Sequence, residues 1–132
     1  MKLLPAFRWL LALFFIVAGA NHFRAPDIYL AMMPAWLPGP VAMNDISGAA
    51  EIIGGIGLLV PGLRGVAGWG LIALLIAVFP ANIHVALQGH MPGTRFPPLA
   101  LWLRLPFQGV LVAWVWWVAI SPWAVSAQLP AG

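Results

Sequence analysis

Apolar residues gather along the chain into four long runs, separated by short breaks rich in proline, glycine or charge. The runs cover about residues 3–22, 44–63, 66–87 and 99–120. Each approaches the roughly 20 residues that an α-helix needs to cross a bilayer's hydrocarbon core. The first carries Arg8 near its start, the second is interrupted by Glu51, and the fourth holds Arg104 and Gln108 near its beginning. The third has no Lys, Arg, Asp or Glu between Val66 and Leu87. The pattern predicts an all-α fold: one domain over residues 1–132, an up-down antiparallel four-helix bundle in a membrane.

The breaks predict how the helices connect. Pro61-Gly62 followed by Arg64-Gly65 makes a tight turn, so the second and third helices are antiparallel neighbours. Residues 88–98 read as a polar, proline-punctuated loop. The connection from Phe23 to Met43 is long yet apolar, with Ile28 to Met33 followed by Pro34, Trp36, Pro38 and Pro40. It reads either as an interfacial cap on the bilayer or as an ordinary loop with one amphipathic turn. The first run has a rival reading as a signal peptide: Lys2 and Arg8, then Trp9 to Val17, then Ala18-Gly19-Ala20 as a cleavage site. It is kept here as a helix.

Composition excludes a soluble domain. Hydrophobic residues make up 63% of the chain and charged residues 7%, against roughly 25% charged in ordinary domains. The net charge of +3 does not imply a nucleic-acid partner, because Lys2, Arg8, Arg24, Arg64, Arg95 and Arg104 are scattered singly rather than in a stripe. With no cysteine in the chain, thiol–disulfide chemistry, Fe–S ligation and cysteine zinc sites are excluded for this chain alone. Counting Lys2, Arg8 and Arg64 on one side against Arg24 and Arg95 on the other favours cytoplasmic termini by three to two. Trp9 and Trp69 would then lie near the inner interface, and Trp36 and Trp102 near the outer.

Ionisable residues are costly inside a membrane and mark candidate functional sites. At about 1.5 Å per residue, Glu51, Asn82 and Arg104 all fall roughly 8–10 Å below the same boundary. His22 closes the first helix on that side, and His84 lies near the end of the third. All four helices thus deliver polar groups to one layer, whose candidate ligand-binding residues are His22, Ser47, Glu51, Asn82, His84, Arg104 and Gln108. Ser47, Gly48, Glu51, Gly54, Gly55 and Leu58 share a face of the second helix, where glycines permit close approach. Gly70, Ala73, Ala77, Ala81 and His84 form a small-residue stripe on the third, and Arg104, Gln108, Leu111 and Val115 align on the fourth. Pro80 and Pro106 each free a backbone carbonyl beside the layer.

The layer has two readings. A Glu51–Arg104 pair could set helix register, or the layer could bind a ligand or carry a proton. His84 reads first as a packing histidine, since haem bundles use facing histidine pairs. Trp114, Trp116 and Trp117 read as lipid-facing packing. No catalytic motif and no metal set is present in the sequence.

Several motifs in this arrangement resemble the DoxX family of small four-helix membrane proteins. The matching pieces are Gly19-Ala20-Asn21-His22-Phe23, Ser47-Gly48-Ala49-Ala50-Glu51-Ile52 with Gly54-Gly55, Leu59-Val60-Pro61, Phe79-Pro80-Ala81-Asn82-Ile83, and Arg104-Leu105-Pro106-Phe107-Gln108. The resemblance implies a four-helix bundle in a bacterial cytoplasmic (inner) membrane. Some relatives are associated with sulfur-compound redox complexes that pass electrons to quinone, and an animal relative resembles a receptor-assembly chaperone. The absence of cysteine argues against a thiol relay here. Three function classes follow: a redox-associated accessory subunit or bundle holding a lipophilic, quinone-like ligand; a non-catalytic assembly factor docking through residues 23–43; and a small transporter, which would need a dimer. The partners implied are membrane lipid, with other membrane subunits or a second copy of the chain as candidates.

Overall fold

A computed structural model describes residues 3–90 and 95–126, and among them every regular element is helical. The long helices are α1 (Leu3–Arg24), α3 (Pro40–Leu59), α4 (Arg64–Gln88) and α5 (Pro98–Val115). A short α2 (Pro26–Met32) follows α1, and a five-residue α6 (Pro122–Ser126) ends the described chain. Three segments are long and apolar enough to cross a membrane: Leu3–Arg24, Pro61–Gln88 and Pro98–Ser126. α3 has a spanning length at 20 residues, but Asn44, Asp45 and Glu51 make it less apolar.

Helix boundaries follow local chemistry. Pro26, Pro40, Pro98 and Pro122 each open a helix, where the missing N–H costs nothing. α3 begins four residues earlier than the apolar run suggested, because Gly39, at φ 59°, turns the chain into Pro40. It also ends four residues earlier, as Pro61–Leu63 forms a 3-10 turn into α4. The stretch 23–43 is only partly a loop, for its Pro26–Met32 portion is helical. Of the polar loop expected at 88–98, residues 91–94 lie outside the described residues, as does Lys2.

Glycine pairings give the helix directions. A Cβ on Gly55 would meet the backbone of Ala12 and Ile16, and one on Gly48 would meet His22 and Gly19, so α1 and α3 run antiparallel. Gly57 against Ala67 and Gly54 against Leu71 set α4 antiparallel to α3 in the same way. α4 packs in turn on α5 and on the π-helical turn Trp116–Ile120, and that turn reaches back to α1. The main core joins Leu11, Phe15, Leu58, Leu71, Leu75, Leu111, Val115 and Val118. Leu13, Val17, Ile53, Ile76 and Val110 face outward, as helices in lipid require.

Two expectations fail on α4 and at the helix ends. Its inward row is Gly68, Leu71, Ile72 and Leu75, whereas Gly70, Ala73 and Ala77 of the expected small-residue stripe are exposed. Arg8 and Arg64, counted above as loop charges, are both buried. Arg64 Nε donates to the Leu58 carbonyl at 2.8 Å, occupying an acceptor left open where α3 ends. Arg8 Nε donates to the Val118 carbonyl at 3.1 Å, which has no helical donor because Pro122 sits four residues on. Trp116 is exposed, but Trp114 and Trp117 are half-buried and pack edge-on or tilted against Phe7.

Candidate functional site

At the end of the helices opposite Arg8 and Arg64 lies a cavity of about 280 Å³. His22 from α1, Ser47 and Glu51 from α3, Asn82 from α4, and Arg104 and Gln108 from α5 all line it. Six of the seven residues expected in the polar layer thus meet around one space. The seventh, His84, is half-buried and lines no part of it. Its position explains this: at about 100° per residue, Asn82 and His84 point to nearly opposite sides of α4.

The close approach of α1 and α3 builds the first half of the site. A Cβ on Gly19 would lie 2.6 Å from the Gly48 carbonyl oxygen, and one on Gly48 would lie 2.8 Å from His22 Cβ. Only a residue without a side chain fits at either position. One helical turn beyond each glycine stands an ionisable residue, His22 on α1 and Glu51 on α3. Their side chains meet, with His22 Nε2 3.3 Å from Glu51 Oε2. The contact is at ion-pair distance but off line for a hydrogen bond, leaving Oε2 buried without an aligned donor. Glu51 thus meets His22 of α1, a contact that the sequence reading, which set Glu51 against Arg104, did not single out. Helix adjacency decides this, for α3 packs most extensively on α1.

Asn44 fixes the histidine from behind. Its Nδ2 donates to the His22 backbone carbonyl at 3.0 Å, and its Oδ1 faces His22 Nδ1 at 2.8 Å. An amide oxygen only accepts, so Nδ1 carries a proton. Tyr29 of α2 stacks on the imidazole, with ring centroids 3.8 Å apart and planes 22° off parallel. Asn21 holds that tyrosine by donating from Nδ2 to its hydroxyl at 2.7 Å, and accepts from the Arg24 guanidinium through Oδ1.

The α4–α5 half sets an amide pair beside Arg104. Asn82 Nδ2 donates to Gln108 Oε1 at 2.6 Å, and Gln108 Nε2 donates to the Leu75 carbonyl. That carbonyl is next to Ile76, whose own acceptor is freed by Pro80 four residues later. Between the two halves, Phe14, Phe15, Phe107, Leu75, Leu111 and Met32 supply an apolar lining. The space therefore joins an apolar body to a polar wall, the usual make-up of a small-molecule site. Among the described residues no group of three or more His, Asp or Glu could hold a metal ion.

Asn44 and Tyr29 were not singled out from the sequence. Asn44 precedes Glu51 by seven residues, two helical turns on the same face, but it stood at the expected start of its helix and so read as a boundary. Tyr29 and Met32 are three apart within 23–43, a helical spacing that signals a face turned to the protein.

Comparison with curated proteins and with solved structures returns no match. A family model, Domain of unknown function (DUF8561), matches residues 11–119, a stretch that contains the whole lining of the cavity. The chain belongs to that family.

Proposed function

We propose that this chain is a four-helix transmembrane bundle that holds a small lipophilic, quinone-like molecule between its helices, as an accessory subunit of a redox-linked membrane complex. One observation carries the binding part: six polar residues from four separate helices surround a single apolar-bodied cavity of about 280 Å³. Register-setting alone needs one polar pair per helix interface. A space between them adds nothing to it. The redox-linked part rests on the resemblance to DoxX proteins, which also suggests a bacterial cytoplasmic membrane; cytoplasmic termini follow from the three-to-two count of basic residues. Residues 26–33 support ligand holding over docking of a partner, because Tyr29, Met32 and Met33 turn inward and line the cavity.

The test is small-molecule extraction of detergent-purified protein, analysed by mass spectrometry together with thermal unfolding. Asn82→Ala removes a polar wall residue while leaving Gln108 anchored on Leu75. The expected result is a lipophilic molecule retained by the parent and lost from a still-folded Asn82→Ala. A parent that never carries such a molecule in lipid-supplemented preparations, with Asn82→Ala merely less stable, would leave the layer as structural glue.

A further inference from the structure

Glu51 is a carboxylate with too few donors. An ionised carboxylate offers about four lone-pair positions, yet Oε2 is buried and has no aligned hydrogen bond among the described residues. Its one polar contact is the oblique approach of His22 Nε2 at 3.3 Å. Asn44 keeps the Nδ1 proton in place, which turns Nε2 towards Glu51 Oε2. Glu51 lines the cavity, so its carboxylate lies within reach of a molecule held there. Buried acceptors without an aligned donor cost stability unless one arrives.

The other groups around the space narrow what that donor is. Arg104 from α5 and the His22–Glu51 pair bring both signs of charge to one cavity. A cationic ligand is disfavoured by Arg104, and an anionic one by Glu51. Tyr29 from α2 is stacked on His22, its hydroxyl already accepting from Asn21. α4 contributes Asn82, which is uncharged and donates to Gln108. Phe14, Phe15 and Phe107 accept a planar apolar body.

We propose that Asn44, His22 and Glu51 form a hydroxyl-recognition site, in which a neutral lipophilic ligand donates its O–H to Glu51. Asn44 is a positioning residue: it holds the imidazole so that Nε2 occupies one carboxylate oxygen and the other side of Glu51 is left for the ligand. The inference rests on the cavity being a binding site and narrows the quinone-like reading to its hydroxyl-bearing, reduced form.

The experiment uses two probes differing by one donor, 2-naphthol and 2-methoxynaphthalene, on full-length protein in lipid nanodiscs with empty nanodiscs subtracted. The parent is expected to bind 2-naphthol about tenfold more tightly, about 1.4 kcal/mol, and Glu51→Leu to lose that preference. Glu51→Gln, which keeps shape and one acceptor, is expected to lose part of it and serves if Glu51→Leu does not fold. Nitrogen NMR of His22 should show Nδ1 protonated in the parent and the tautomer mixed in Asn44→Ala. Equal binding of both probes would overturn the hydroxyl inference and leave the cavity reading standing. Binding of neither would overturn both. An undiminished tenfold preference in Glu51→Leu would show that the hydroxyl is recognised elsewhere.

Discussion

Asn44 is the residue on which the polar cluster turns, because one side chain satisfies both the ring and the backbone carbonyl of His22. Asn44→Ala strips both partners at a position 1% exposed, so a loss of about 1–3 kcal/mol is expected from unmet buried groups. Unfolding in detergent measures it. Gln108 has a similar standing on the other wall. Gln108→Ala removes the acceptor of the Asn82 amide and a donor to the Leu75 carbonyl, whereas Asn82→Ala leaves Gln108 still bound to Leu75. With interhelical bonds worth about 0.6–2 kcal/mol, the Gln108 variant should melt lower than the Asn82 variant. Equal melting would show that the two residues do not act in series. At this scale depth along the helix was legible in the sequence: it brought His22, Glu51, Asn82 and Arg104 to one level. The angular position of each residue decides which of them meet, and His84 shows depth without the matching angle.

Among elements, the α1–α3 contact positions the site, and its glycines are the cause. Gly48→Ala would drive a methyl into His22 and Phe23, with His22 Cβ only 2.8 Å away. A destabilisation of about 1–3 kcal/mol follows from overpacking, together with separation of His22 from Glu51. Gly70→Ala is the control, since a Cβ there meets nothing within 4 Å. It should be neutral or stabilise by up to about 1 kcal/mol through helix propensity. The reverse order of the two melting temperatures would place the small-residue stripe of α4 inside after all. The α3 face was legible because Glu51 and Gly48 share it with Gly55 and Leu58. The α4 face was not, for two rows compete there: Gly70-Ala73-Ala77 is smaller, while Gly68-Leu71-Leu75 is the row that packs. Lipid is as apolar as the helix interior, so hydrophobicity does not choose between them.

For the whole molecule, polar groups sit at both ends of the helices. One end has the cavity, and the other has Arg8 and Arg64, each bound to a carbonyl that helix geometry leaves open. Those two arginines are thus partly structural, which weakens their use as loop charges in reading orientation. Sidedness itself is open to measurement in a chain with no cysteine of its own. Single substitutions Leu63→Cys and Ser126→Cys should label from one side of a sealed vesicle, and Asp27→Cys and Gln88→Cys from the other. Any mixed pair would break the antiparallel order of α1, α3, α4 and α5 as membrane spans. The central claim, that the space between these helices is there to hold a lipophilic molecule, meets its most direct test in Ala18→Phe. Ala18 lines the cavity without joining its hydrogen bonds, so a phenyl ring there fills the space and spares the polar wall. Native mass spectrometry of parent and variant from the same membranes should show a lipophilic adduct on the parent and bare protein for Ala18→Phe. An adduct kept at equal occupancy by the variant, or absent from both, would contradict the account.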